Sequence, residues 1–376
     1  MNKEHLVNIP LFFIMKRHGN LFEKIVKYEN IQLAHERAKR GKSHYSEVRM
    51  VESDPDKYLK RVQLSLIEKT FSTSNYKVFK VSVPKEREIS KLPYYPDRIV
   101  QHAIMNVLRP IWDPIFIYDV YSAIPGKGIH RAIFRLKDFL KDKENTRFCL
   151  QFDISKFYPS VSHDILLELI KRKIKCCDTL WLLGDIVYSP PGVKGIPIGN
   201  FTSQYFANIY LNWFDHYLKE KLRMPYYIRY ADDGILLASN KQRLQNVQEA
   251  IELYLADNLN LSLNPKTQIY PVGKRGINFL GYRTFRNYVL LRKESAKRFK
   301  QKIKTIKKHW NRMPPRHIIS SIMSHVGWLK HCNGYNLIRV HILEDAQVME
   351  IIDKSANRLG IENPLEKQYS VVSNAI

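Results

Sequence analysis

The sequence predicts an α+β fold, and three stretches carry that expectation. Tyr226-Tyr227-Ile228-Arg229-Tyr230 and Ile235-Leu236-Leu237-Ala238 are strand-like runs around Ala231-Asp232-Asp233-Gly234, which reads as a β-hairpin with Asp233-Gly234 as its turn chemistry. Phe148, Leu150 and Phe152 alternate with Cys149, Gln151 and Asp153, the pattern of a half-buried strand that ends at Asp153. Val247, Ile251, Tyr254, Leu255 and Leu259 recur at helical spacing, as on a helix packed along one face. A chain of 376 residues is too long for one small core, so two or three subdomains are expected.

The remaining elements follow in order. Residues 20–110 read as helical with basic turns, with Val62, Leu66, Ile67 and Phe71 forming an apolar stripe. A β-prone stretch runs from Tyr76 to Val83 and stops at Pro84. Lys85-Glu86-Arg87 then turns the chain into a second strand from Glu88. Asp97-Arg98-Ile99-Val100-Gln101-His102-Ala103-Ile104 opens an amphipathic helix that Pro110 should stop. After Asp153, Pro159 breaks the chain and Ser162 is an N-cap for a helix through Ile165, Leu166, Leu169 and Ile170. Ser295 to Trp310 carries Phe299, Ile303, Ile306 and Trp310 as a stripe. Lys297, Arg298, Lys300, Lys302, Lys304, Lys307 and Lys308 surround it, and Pro314-Pro315 ends it. Such a helix is either an ordinary solvated face or a contact for a nucleic-acid backbone.

Composition narrows the function classes. Sixty-one Lys and Arg against 36 Asp and Glu give a formal charge of +25, which favours a polyanionic partner. Aromatics interleaved with the basic residues favour nucleic acid over a phospholipid surface. No stretch approaches the ~18 apolar residues of a membrane span, and no signal-peptide pattern is present, so a soluble, cytoplasmic protein with no membrane partner is expected. Cys149, Cys176, Cys177 and Cys332 have neither CxxC spacing nor an obvious pairing, so reduced thiols are expected.

The chemistry centres on carboxylates. Two ionised carboxylates side by side repel each other unless a cation sits between them or one is protonated. Hard oxygen ligands suit Mg²⁺. Phosphoryl transfer to a 3′-hydroxyl uses two such ions ~3.5–4 Å apart, and carboxylates from separate chain segments must converge on them. Asp153 at a strand end and Asp232-Asp233 on a hairpin meet that requirement together, although Asp-Asp-Gly alone is also a common acidic turn.

With these residues in view, the chain resembles a reverse transcriptase across roughly residues 75–290. Arg87 and Pro96-Asp97-Arg98-Ile99-Val100-Gln101-His102 come first, then Tyr121-Ser122-Ala123-Ile124-Pro125-Gly126-Lys127-Gly128 and Phe152-Asp153-Ile154-Ser155-Lys156-Phe157-Tyr158. Gly195-Ile196-Pro197-Ile198-Gly199-Asn200, Tyr230-Ala231-Asp232-Asp233, Leu263-Asn264-Pro265-Lys266-Thr267 and Phe279-Leu280-Gly281-Tyr282 complete the series in the family's order. The resemblance implies a right-hand polymerase: a helical N-terminal extension and the start of the fingers over 1–74, fingers and an antiparallel palm with helices over 75–290, and a basic helical thumb over 291–376. It implies RNA-directed DNA polymerase activity with dNTPs and two Mg²⁺ ions. Asp153, Asp232 and Asp233 would be catalytic metal ligands, with the Ile154 carbonyl on the nucleotide-bound ion. Arg87, with Lys80 or Lys85, would face the triphosphate, and Tyr158 would be the aromatic gate against a 2′-hydroxyl. Phe157, Ile198, Gly199 and Lys266 complete the implied nucleotide site. Gln204, Tyr230, Phe279, Leu280, Gly281, Tyr282, Arg298 and Lys302 are the implied nucleic-acid contacts.

One departure narrows the resemblance. Most reverse transcriptases carry Gln-Gly where this chain has Ile198-Gly199, followed by Asn200-Phe201-Thr202-Ser203-Gln204. This variant resembles the enzymes of diversity-generating retroelements, which copy a template-repeat RNA with errors concentrated at adenines (mutagenic retrohoming). A Gln amide can hydrogen-bond at the nascent pair and Ile cannot. Losing that contact would remove discrimination on the order of 1–3 kcal/mol, and a tolerated replacement with no effect on fidelity is the alternative. The same resemblance implies template RNA, an RNA/DNA primer-template duplex and a small, basic, oligomeric helical accessory protein as partners. A retron-like, defence-associated or reduced intron-maturase enzyme, and a non-catalytic RNA-binding scaffold, are the competing expectations.

Overall fold

The computed structural model describes residues 16–81 and 87–369. Helices are joined by strands β1 (Lys77–Val81), β2 (Arg87–Lys91), β3 (Phe148–Asp153), β4 (Tyr227–Tyr230), β5 (Asp233–Ala238), β6 (Gln268–Pro271), β7 (Ile277–Phe279), β8 (Tyr282–Thr284) and β9 (Val289–Leu291). The structure divides into two compact units. One contains the described residues up to Gly128 with Phe148–Tyr270, and the other contains Ile129–Arg147 with the described residues from Pro271 onward. In this division 129–147 and 271–290 belong with the C-terminal helices.

The first unit is built on a four-stranded sheet in the order β4-β5-β3-β6. Because β3 is an interior strand, Cys149 is buried along with Leu150 and Phe152, more than simple alternation implies. The helix Lys241–Leu259 begins where the Asn240 side chain accepts from the Arg243 amide, and it buries Val247, Ile251, Tyr254, Leu255 and Leu259 as the spacing predicts. Ser162 caps the helix His163–Lys171 by accepting from the Ile165 amide at 3.4 Å. Segments before residue 75 are part of this core. The helix Tyr28–Ala38 packs on Ile99–Trp112, and Ile31, Ala34, Val51, Leu59 and Leu66 are all buried. Ile67, expected in the same stripe, is 52% exposed.

Pro110 does not stop its helix, which continues to Trp112. Trp112, beyond the proline, is fully buried, and burying an indole of about 200 Å² is worth on the order of 5 kcal/mol, more than the roughly 3 kcal/mol an interior proline costs. β1 and β2 form a separate two-stranded hairpin, with every residue of β1 exposed.

In the second unit the sheet β7-β8-β9 joins helices Ile129–Phe139, Lys293–His309, Pro315–Leu329 and Ala346–Arg358. Phe299, Ile303 and Ile306 are buried against Ile318, Ile322, Val326, Ile351 and Ile352, so the expected stripe of the basic helix is its core face. Pro315 occupies the first turn of the next helix, where a missing N–H costs nothing. All four cysteines are free thiols, and among the described residues no helix is long and apolar enough to cross a membrane.

Candidate active site

Strand register brings the expected carboxylates together. In the antiparallel β3–β5 pair Asp153 lies directly opposite Asp233, and Phe152 opposite Gly234. Opposed residues share a face with Cα atoms about 4.5–5.5 Å apart. Tyr230 pairs with Asp233 across β4–β5, so the loop is Ala231-Asp232 and not Asp233-Gly234. Gly234 has a different task inside β5: a Cβ there would lie 2.1 Å from the Phe152 ring. Ala231 supplies the turn's left-handed residue, φ 54°, where glycine or asparagine is usual.

The third carboxylate is anchored through its backbone. The Ile154 amide donates to the Asp232 carbonyl at 3.3 Å. From the other side, Asn264 donates its backbone amide to the Asp153 carbonyl at 2.7 Å and its side-chain amide to Asp153 Oδ2 at 3.0 Å, while Asn264 Oδ1 accepts from the Lys266 amide. Asp153, Asp232 and Asp233 are each partly exposed. Partly exposed carboxylates on a fixed backbone are hard oxygen donors of the kind Mg²⁺ takes. Among the described residues, the ligating side chains whose donor atoms lie within 4.8 Å of one another are those of His35, Glu36 and Glu52. There the Lys39 ammonium already bridges both glutamates, at 2.6 and 3.2 Å.

Sequence reading missed the support beneath the hairpin. Arg229 and Asp215 are both fully buried and paired through two bonds, Nε to Oδ1 at 2.7 Å and a terminal nitrogen to Oδ2 at 2.5 Å. The Tyr227 hydroxyl donates to Asp215 at 2.7 Å, and burial beside that carboxylate drives the phenol far above its ordinary range. The available signal was a charged residue inside an otherwise apolar strand.

The nucleotide-side residues fall into distinct surroundings. Tyr158 is half-buried on the short helix Phe157–Ser160, whereas Phe157 is 1% exposed and belongs to the core. The Ile198-Gly199 segment is fastened to β2 by a 2.9 Å bond from the Ser90 amide to the Ile198 carbonyl. A Cβ at Gly199 would lie 2.6 Å from the Ser90 carbonyl, and φ there is 130°. Gln101 Oε1 accepts from the Phe201 amide at 2.9 Å, and Asn200 donates to the Tyr76 hydroxyl at 2.9 Å. A cavity of about 180 Å³ opens beside this segment, lined by Lys42, Lys91, Arg98, Asn200 and Phe201 among others. His102 stacks on Phe201 at 3.8 Å, and burial, reinforced by neighbouring cations led by Arg98, pushes its pKa down to about 3.

Lys80 lies opposite Glu88 in the β1–β2 hairpin, Arg87 is placed by its backbone alone at the start of β2, and Lys85 lies outside the described residues. Lys266 and Gln204 are exposed, and Tyr230 is half-buried with its phenol pKa raised by burial.

In the second unit, Phe279 and Tyr282 are buried, and the Tyr282 hydroxyl donates to the Trp328 carbonyl at 2.9 Å. Leu280 and Gly281, in the turn between Phe279 and Tyr282, are half-buried. Arg298 is exposed, and Lys302 Nζ lies 3.4 Å from His317 Nε2.

The chain is similar to several known proteins. Protein YkfC of Escherichia coli K12 is 28% identical over 52% of this chain and 62% of its own length. The group II intron-encoded protein LtrA of Lactococcus lactis is 21% identical over 51% of this chain and 43% of its own. The chain thus spans less than two thirds of either relative. A solved structure of apo telomerase from Candida tropicalis superposes with a TM-score of 0.42 at 13% identity, covering 60% of this chain and 49% of that one. The family model for reverse transcriptase (RNA-dependent DNA polymerase) matches residues 80–284, more than half the chain and all three aspartates, and the chain belongs to that family.

Proposed function

We propose that this chain copies RNA into DNA, with the Asp153–Asp233 register pair and Asp232 as its catalytic carboxylates. The observation that carries the reading is that register: it brings an aspartate from β3 opposite one from β5, within a segment matched by the reverse transcriptase family. In this reading the first unit supplies fingers and palm, and the basic helices of the second supply the thumb. Asp153, Asp232 and Asp233, with the Ile154 carbonyl, would hold two Mg²⁺ ions. When bound, these lower the pKa of the primer 3′-hydroxyl and stabilise charge on the leaving pyrophosphate.

Arg87, with Lys80 or Lys85, orients the triphosphate. Tyr158 is the ring that excludes a 2′-hydroxyl. Gly199, whose contact with β2 leaves no room for a side chain, fixes the Ile198 segment on which the template is read. Lys266, Gln204, Tyr230, the Leu280-Gly281 turn, Arg298 and Lys302 are the contacts offered to primer and template.

The Ile198-Gly199-Asn200 sequence supports the finer reading of a diversity-generating retroelement enzyme working with a template-repeat RNA and a small, basic accessory protein. The similarity to an intron-encoded protein supports a second reading, accurate copying of a structured RNA. Primer extension on a defined RNA template with dNTPs and Mg²⁺, followed by sequencing, separates them. Errors concentrated opposite adenines and reduced in Ile198→Gln are the expected result. Accurate cDNA from both proteins leaves the intron-type reading, and absence of synthesis with RNA and partner supplied removes the polymerase.

A further inference from the structure

The guanidinium of Arg229 carries a bond that its ion pair does not need. Its Nε and one terminal nitrogen are both committed to Asp215, and the other terminal nitrogen reaches forward to the Ala231 carbonyl at 2.8 Å and to Asn208 Oδ1 at 3.3 Å. Everything around the pair fixes its direction. Tyr227 holds Asp215, and Asn208 donates to the Ser122 carbonyl at 2.8 Å, which turns its amide oxygen toward Arg229. The Arg229 backbone is tied on both sides, its amide to the Asp119 carbonyl and its carbonyl to the Tyr121 amide, each at 3.0 Å. A fully buried ion pair is an expensive way to fill space, since apolar residues of similar volume do so at least as well.

We infer that Arg229 is a positioning residue that holds the Ala231-Asp232 turn in the shape that presents the metal-binding carboxylates. Ala231 is in the left-handed region, a conformation that costs a non-glycine residue roughly 1–2 kcal/mol and persists only where its surroundings enforce it. Arg229 grips the carbonyl before Asp232, and the Ile154 amide grips the carbonyl of Asp232 itself. The two peptide planes flanking the Asp232 side chain are therefore both fixed, and the next residue, Asp233, is fixed by pairing with Asp153. The inference rests on the proposed function for what the carboxylates do, but not for whether they bind a divalent ion.

Mn²⁺, a spectroscopic stand-in for Mg²⁺, tests it by titration of the full chain monitored by electron paramagnetic resonance, alongside primer extension. Arg229→Lys keeps the charge facing Asp215 and loses the forked donor. It should weaken Mn²⁺ binding about tenfold, lower kcat about 10–100-fold and leave KM for dNTP within about twofold. Tyr227→Phe is the milder variant, expected to shift Mn²⁺ binding about threefold in the same direction, and it decides the matter if Arg229→Lys does not fold. Adding Ala231→Gly to Arg229→Lys should recover part of the Mn²⁺ affinity, because glycine adopts that φ without strain; a purely architectural arginine would gain nothing from it.

Folded variants that bind Mn²⁺ like wild type overturn the inference, as does a wild type that binds none. A wild type that binds Mn²⁺ in an Arg229-dependent way yet makes no DNA sinks the polymerase reading and leaves the positioning role standing.

Discussion

The β4–β5 hairpin closes at Tyr230 and Asp233 around Ala231-Asp232, and the β7–β8 hairpin closes at Phe279 and Tyr282 around Leu280-Gly281. In the first loop the positive φ is at Ala231 alone; in the second, Leu280 at 49° and Gly281 at 86° both have it. Two-residue hairpins whose twist matches that of their strands need a positive φ at the first loop residue or at both. Each hairpin puts a non-glycine residue in the left-handed region, so each needs outside support. The second is held by packing: its flanks, Phe279 and Tyr282, are buried, and Gly281 lies close enough to Trp328 that a Cβ would come within 3.0 Å of the indole. The first is held differently, and its loop and strand end carry the partly exposed carboxylates of Asp232 and Asp233. A buried guanidinium beneath it takes the part that an indole takes for the other. A turn that must present charge is supported from behind by directed hydrogen bonds, and one that need not is supported by apolar contact.

Substitutions at both hairpins put that contrast to the test, beginning with the largest expected effect. Gly234→Ala pushes a methyl into the Phe152 ring from 2.1 Å and should cost about 3 kcal/mol in denaturant unfolding. Phe152→Leu should recover part of that loss, and additive effects of the two changes would mean the ring is not the obstacle. Gly281→Ala meets positive φ and the indole edge and should cost about 1–2 kcal/mol while leaving Mn²⁺ affinity unchanged. A drop in Mn²⁺ binding there would erase the distinction between the two hairpins.

His102 offers a pH test of the segment that follows Ile198-Gly199. Its folded pKa of about 3 lies below its ordinary value of 6.5, so between those values the unfolded chain holds a proton that the folded chain lacks. Stability should therefore fall as pH drops from 6.5, by up to about 1.4 kcal/mol per unit from this group, and His102→Gln should flatten the slope. Equal slopes in both proteins would remove His102 as the cause.

The smallest effect concerns the exposed face of the helix Lys293–His309. Changing Lys297, Arg298, Lys300 and Lys304 to Gln should leave the melting temperature nearly unchanged. It should reduce the salt slope of duplex binding by about 0.9 for each phosphate that these side chains no longer neutralise. An unaltered slope would make that face simply solvated.

Much of the first unit was legible in the sequence because local pattern and tertiary role agree there. Strand β3 with Asp153 at its end, the Ser162 cap and the apolar stripe of Lys241–Leu259 need only periodicity and capping chemistry to be read. The errors occur where a distant partner decides. Asp233-Gly234 looks like a turn, but Gly234 is a strand residue whose size is set by Phe152, a residue far away in sequence and opposite it in register. Pro110 looks like a stop, but Trp112 beyond it finds a buried site. Arg229 looks like one polar residue in a strand, and nothing local indicates that Asp215, on a preceding helix, will neutralise it. Phe279 and Tyr282, expected as nucleic-acid contacts, have buried rings. Motif residues locate the chemistry, and the register of the sheet determines which of them face each other.

The most direct test of the central claim is single-turnover primer extension on an RNA template by Asp153→Asn and Asp232→Asn beside wild type, with template binding measured in parallel. The account predicts that each variant binds the primer-template as wild type does and loses on the order of 10³-fold in rate, about 4 kcal/mol of barrier. DNA synthesis within about tenfold of wild type from either variant, less than about 1.4 kcal/mol, would contradict it.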